Sequence, residues 1–196
     1  MAFKGALTLP LWTSAVRARK PQERWLVDFA YGSLASIISN QTAFVRCVIR
    51  GPAPVETGLE RIESVSGEPF VEDAATGLVW QGCPAKKSGV NCTEGILEVY
   101  GWQGAVDYCE DLVWGNKDDW SLPGVKSLQS IADNRFTSFA MDERFFPRVG
   151  QEDTYWTSAT VSKQPTAAWY VDFADYDIRN SVNTELRRVR CVRHDL

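Results

Sequence analysis

A segment of 40 residues occurs twice in this chain, and that duplication restricts its architecture more than any other feature. Residues 11–50, LWTSAVRARKPQERWLVDFAYGSLASIISNQTAFVRCVIR, align without a gap with 155–194, YWTSATVSKQPTAAWYVDFADYDIRNSVNTELRRVRCVRH, at a constant offset of 144. Fourteen of the 40 positions are identical, where ordinary residue usage gives roughly two or three. Sequence that organises itself twice is a structural unit. About 85 residues of organised-looking sequence precede the second copy, against ten before the first. The expected plan is the C-terminal half of one unit at 1–50, a Pro- and Gly-bearing linker at 51–69, and a complete unit at 70–196.

The five cysteines carry the next inference. Cys83 and Cys92 bracket the polar loop GCPAKKSGVNC, a suitable length for a local disulfide. Cys109 lies on a helical pattern and Cys191 in an alternating terminal run, so a long-range bridge between them would tie helix to sheet. Cys47 is the repeat equivalent of Cys191, and an equivalent of Cys109 would fall before residue 1. The expectation is therefore a longer parent protein. Buried reduced cysteines remain the alternative; a zinc site is disfavoured, because there is no Cys-x-x-Cys pair and the only histidine is His194. Disulfides would place the chain outside the cytosol.

Residue patterning gives an α+β domain. WLVDFA and AFVRCVIR alternate as strands, the second with Val45, Cys47 and Ile49 on one face. PFVEDAATGLVWQG reads strand, turn, strand. In GWQGAVDYCEDLVW, Trp102, Ala105, Val106, Cys109, Leu112 and Val113 form one helical stripe. LPGVKSLQSIAD predicts a shorter helix with Pro123 in its first turn and Val125, Leu128 and Ile131 inward. The long segment 134–154 is anchored by Phe136, Phe139, Phe145 and Phe146, and such segments are often binding loops. Strands are expected at 155–159, 168–173 and 187–193, with another at 177–182. In the last run, LRRVRCVRH, Arg188 and Arg190 share a face, read as solvated.

The motifs ATGLVWQ (75–81), WQGAVDYCEDL (102–112), DWSLPGVKSLQSIAD (119–133), YWTSATV (155–161), AWYVDF (168–173) and VRCVR (189–193), in that order, resemble the C-terminal domain family of the Legionella collagen-like protein, found in bacterial surface and exported proteins. The resemblance spans 70–196 and, through the repeat, 11–50. It implies a C-type-lectin-like fold, with two helices, a twisted antiparallel sheet and long loops, and a Cys109–Cys191 bridge. Ser121 departs from the family's usual Arg in a Trp-Arg-Leu-Pro motif.

Function is sought where the copies differ. Between the shared VDFA and VRCV, YGSLASIISNQTAF and DYDIRNSVNTELRR have no identity in fourteen positions. The resemblance implies a ligand surface on this part of the sheet: Tyr176, Asp177, Arg179, Asn180 and Asn183, with Trp156 or Trp169 beneath or beside them. Tyr and Trp supply rigid amphipathic area, and Asn, Asp and Arg directional hydrogen bonds. A solvated hairpin with two core tryptophans is the plain competitor.

Enzymatic readings lack their parts. There is no Gly-x-Ser-x-Gly, phosphate-cradling loop or histidine cluster. Formylglycine-generating enzymes share the implied fold but need reactive cysteines, and here the best placed look committed to bridges. No cofactor is expected, and calcium is disfavoured because no acidic spacing matches a binding loop. The net charge of −4 gives no general reason to bind nucleic acid, and no apolar run reaches the ~20 residues of a membrane span. The sequence thus points to a non-enzymatic recognition or adhesion module for a glycan or protein ligand, extracellular, at the cell surface or periplasmic. The alternative is a structural spacer. Residues 1–50, half a sheet with open edges, are expected to pack on the complete unit or to join copies into a homo-oligomer.

Overall fold

The computed structural model describes residues 10–17, 20–28, 33–47, 58–64, 66–133, 135, 136 and 139–194. Residues 1–9, the end of the AFVRCVIR run at 48–50 and the first part of the expected linker, 51–57, lie outside them.

The chain is α+β with a mostly sheet core. In order it forms β1 (Leu11–Arg17), β2 (Lys20–Asp28), β3 (Ser33–Ile38), β4 (Leu59–Ile62), β5 (Phe70–Asp73), β6 (Leu78–Gln81), β7 (Lys87–Ser88), β8 (Glu94–Gly95), α1 (Trp102–Glu110), α2 (Val125–Ser130), β9 (Thr154–Val161), β10 (Gln164–Asp172), β11 (Asp177–Val182) and β12 (Val192–His194). These strands build sheets of order β1-β2-β3, β11-β10-β9, β12-β6-β5-β4 and β7-β8.

The two three-stranded sheets coincide at the offset of 144. Leu11–Val27, Trp12–Leu26, Val16–Arg24 and Arg17–Lys20 pair across β1 and β2. Tyr155–Val171, Trp156–Tyr170, Thr160–Ala168 and Val161–Gln164 pair across β9 and β10. Trp25 faces Ser36 across the next pair, as Trp169 faces Asn180. Equal register means equal facing of every side chain. Trp12 N–H donates to the Phe44 carbonyl at 2.8 Å, and Trp156 N–H to that of Arg188 at 3.1 Å. Ser39 and Asn183 close their hairpins onto Gln22 and Thr166 in the same way.

Strands β9 and β10 of the second sheet contribute to a core on each side, because successive strand residues point to opposite faces, while β11 stays partly exposed. Trp156, Ala168 and Tyr170 join Ala105, Cys109, Trp114, Trp120 and Leu122 in one core cluster. Tyr155, Val171 and Phe173 join Val71, Trp80, Leu128, Ile131, Phe139 and Phe146 in the other. Hydrophobic burial of this kind contributes about 1.5–3 kcal/mol per large side chain. Gly82 lets two strands meet closely: a Cβ there would lie 2.5 Å from the Pro69 carbonyl oxygen.

Several expectations need correction. The expected linker contains β4, which pairs with β5 from Leu59–Asp73 to Ile62–Phe70; four residues are too few to show a period against flanking Pro and Gly. The first helix ends at Glu110, so Val113 leaves the apolar stripe and is 64% exposed. The second helix starts after Gly124, putting Pro123 outside its first turn. The run at 187–193 makes isolated bridges at Arg187 and Arg188 and becomes a strand only at Val192.

The largest departure is at Arg188 and Arg190, which are 2% and 1% exposed rather than solvated. Arg190 donates from Nη1 to the Gln81 carbonyl at 2.7 Å, with its guanidinium 4.9 Å from the Phe146 ring centroid and 5.7 Å from that of Tyr155. Burial lowers its affinity for the proton. Arg188 lies 3.7 Å from Asp153 and 5.9 Å from the Tyr155 centroid. Alternation shows which residues share a face, but not that aromatic rings cover it.

Candidate functional site

Both expected disulfides are present: Cys83–Cys92 across the polar loop and Cys109–Cys191 between α1 and the strand-like C-terminal run. Cys47 is free and exposed. The long bridge ties α1 to the run beside β6, where the Cys191 carbonyl accepts from Gln81 N–H at 2.9 Å. α1 has no side-chain N-cap; instead Trp102 N–H donates to the Asn183 carbonyl at 2.8 Å, so the β10–β11 hairpin satisfies the helix start.

The seven expected ligand residues fall into three settings. Trp156 is fully buried, donating from Nε1 to the Tyr100 carbonyl at 2.8 Å and meeting Tyr170 edge-on. It supports the sheet from within and has no face open to a ligand. Trp169 is partly exposed, directly across from exposed Asn180, and Val182 beyond them is 52% exposed. Asn183 lies at the end of this hairpin, with its backbone committed to Thr166 and Trp102.

Tyr176, Asp177 and Arg179 form the third setting, at the β10–β11 turn. Tyr176 has φ +51°, a left-handed conformation uncommon outside glycine, which turns the chain between the strands. Arg179 reaches Asp177 at 3.0 Å, Asp175 at 3.1 Å and Asp172 at 3.4 Å. Burial works against its charge, but the hydrogen bond to Asp177 and the charges of Asp177 and Asp172 outweigh it and push its pKa up.

The first sheet covers this turn. Arg17 Nη2 lies 3.3 Å from Asp177 and 3.7 Å from Asp175, while Trp25 meets the Tyr176 ring edge-on at 6.0 Å. Arg17 is held in turn by Glu23 at 2.8 Å and Ser36 at 2.9 Å, and its guanidinium lies 5.7 Å from the Trp25 ring centroid. Within one chain, therefore, the Tyr176–Asp177 half of the expected surface is occupied and the Trp169–Asn180 half is open. Sequence comparison of the copies isolated the variable stretch; it had no means of showing that one copy docks on the other. The available hint was position 17, where the first copy has Arg and the second has Val161.

Ser121, between Trp120 and Leu122, makes reciprocal backbone hydrogen bonds with Val192 at 2.8 and 2.9 Å. The nearby ion pair is between Asp119 and Arg193 at 2.7 Å, and its hydrogen bond lowers the Asp119 pKa.

The family model of the Lcl C-terminal domain matches residues 69–193. No curated protein matches the chain. The match covers most of the chain and both disulfides, and the chain belongs to the Lcl C-terminal domain family. Two disulfides fit an oxidising compartment rather than the cytoplasm. Among the described residues, no helix is long and apolar enough to cross a membrane.

Proposed function

We propose that this family member is a non-enzymatic recognition module of a bacterial surface or exported protein, with a C-type-lectin-like fold and a glycan or protein ligand. The observation carrying this reading is the partly open Trp169–Asn180 pair on a sheet whose strands β9 and β10 are packed into both core clusters, one with α1 and the other with α2. A partly exposed indole beside a polar amide gives a flat apolar contact with a directional partner, suited to a sugar ring or an aromatic side chain. The underlying core holds that geometry rigidly, which lowers the entropy cost of binding.

Trp169→Ala and Asn180→Ala should remove binding on an array of glycans and host extracellular proteins while leaving thermal unfolding almost unchanged. Unaltered binding by both variants would rule out this face. One observation favours a second reading, a structural spacer: Arg17 and Trp25 fasten the first sheet onto Tyr176, Asp175 and Asp177, as a stalk of packed units requires. If the unmodified chain binds nothing on the array, the spacer reading gains.

A further inference from the structure

A groove opens on the polar side of α1. Gly104, Asp107, Tyr108 and, just past the helix end, Asp111 follow the i, i+3, i+4, i+7 spacing that places residues on one helical face. Opposite them stand Glu98 and Tyr100, with Lys86 from the disulfide loop and Leu112 and Val113 completing the walls. The space is about 600 Å³, within the usual range of ligand sites. None of these residues belongs to the Trp169–Asn180 face, and the inference stands apart from the function proposed for it.

Two tyrosine rings form the floor, their centroids 5.3 Å apart and their planes inclined by 32°. Both hydroxyls are already engaged. Tyr100 donates to Glu98 at 2.5 Å, and Tyr108 accepts from Gln81 Nε2 at 3.0 Å and from the Lys86 backbone N–H at 3.4 Å. Burial, and for Tyr100 also the bond to Glu98, pushes both hydroxyl pKa values up, so both rings stay neutral. What they still offer is their faces.

Those faces already attract a cation. Lys86 has φ +62° in the loop closed by Cys83–Cys92, and its ammonium lies 5.6 Å from the Tyr108 centroid. The lining holds three carboxylates, Glu98, Asp107 and Asp111, against the one ammonium of Lys86. An apolar wall adjoins the acids: Leu112 and Val113 line the groove beside Asp111, and Val113 is 64% exposed. A small inorganic cation has no use for such a wall, whereas the alkyl stem of a lysine or arginine does.

We propose that this groove binds a basic side chain presented by a polypeptide partner, its cationic head over the Tyr100–Tyr108 faces among the carboxylates and its stem against Leu112 and Val113. Lys86 is the internal placeholder that the incoming cation displaces.

The test titrates the full chain with the capped peptide Ala-Lys-Leu-Arg-Ala and its neutral control Ala-Gln-Leu-Gln-Ala, by calorimetry and amide chemical shifts. The charged peptide should move the Gly104 and Val113 resonances, and the control should not. Lys86→Met should tighten binding about threefold by removing the competitor. Asp111→Asn should weaken it about twofold, and added salt should weaken it further. Tyr108→Leu should abolish binding; should that variant fail to fold, Asp111→Asn, an exposed change, keeps the test intact. Equal binding of the neutral peptide overturns the proposal, as does an unchanged affinity in both Lys86→Met and Asp111→Asn. Spermidine binding as tightly as the peptide would overturn the assignment to a polypeptide.

Discussion

The first and second three-stranded sheets share register and hydrogen bonds but are supported in different ways. Thr13 Oγ1 donates to the Trp25 carbonyl at 3.0 Å, and Thr157 Oγ1 to that of Trp169 at 2.9 Å. Yet Trp25 is 5% exposed beneath Tyr176 while Trp169 stays partly open, and Trp12 stays partly open while its equivalent Trp156 is sealed in the core. One backbone framework has thus been stabilised from opposite sides: the second sheet by α1 and α2 through the two core clusters, the first by the second sheet's own turn. Identity between the copies tracks the framework, and exposure tracks what has been packed against it.

The sharpest way to break this comparison is to loosen the larger unit that packs on the second sheet, by opening the bridge that holds α1. Replacing Cys109 and Cys191 by Ala opens a constraint between residues 82 apart, which loop-closure entropy values at about 4–5 kcal/mol. Denaturant unfolding should show a loss of that size for residues 70–194. Opening Cys83–Cys92, a separation of 9, should cost about 2–3 kcal/mol. Cys47→Ser, at an exposed free thiol, should alter neither transition.

Trp25→Ala tests the other side. Truncating a core tryptophan costs about 3–5 kcal/mol, and the lower end is expected because Trp25 Nε1 is buried without a hydrogen-bond partner among the described residues. Hydrogen exchange should speed up in β1–β3 and leave β9–β10 protected. Trp169→Ala, at a partly exposed site, should cost about 1 kcal/mol or less. Equal losses for the two variants would mean that Trp25 is not capped by Tyr176.

These residues also show how far the sequence could be read. The β11 bounds, the strand-turn-strand at 70–81 and both cysteine pairings follow from alternation, spacing and family resemblance, because local pattern and tertiary contact agree there. Arg188 and Arg190 depart from the solvated face expected of them because a charge on an alternating strand has the same pattern whether it meets water or Phe146 and Tyr155. The groove beside α1 escaped for a related reason. Gly104, Asp107, Tyr108 and Asp111 form a polar stripe that looks like an ordinary solvated face until Glu98, Tyr100 and Lys86 are seen across from it. Of the proposed ligand surface, the variable stretch is legible in the sequence, and its division into a covered half and an open half is not. Docking of one copy upon the other depends on long-range contacts such as Arg17 to Asp177, 160 residues apart, that no local period encodes.

Arg17→Val converts the first copy to the residue that the second carries as Val161, and so tests the docking alone. It removes pairs with Glu23, Asp175 and Asp177 in which Arg17 is only 11% exposed. About 1 kcal/mol is expected, because the acidic partners remain partly in water. The loss should appear in β1–β3 exchange and leave Cys109–Cys191 unfolding unaffected.

The smallest effect expected is a pH dependence confined to the first sheet. The hydrogen bond from Arg17, then that from Ser36, lowers the Glu23 pKa below the ordinary glutamate value. A group whose folded pKa is depressed contributes its stabilisation above the unfolded pKa and loses it as pH falls through the folded one. Acidification below the usual carboxylate range should therefore loosen β1–β3 first, read as faster hydrogen exchange in β1–β3 than in β9–β10. Glu23→Gln should flatten that response while leaving the acid limb of the larger unit in place. If both sheets instead loosen together at the same pH in the Glu23→Gln variant, the acid sensitivity belongs to carboxylates of the larger unit, such as Asp142, whose hydrogen bond from Arg144 lowers its pKa in the same sense. The first sheet would then be following its support rather than failing on its own.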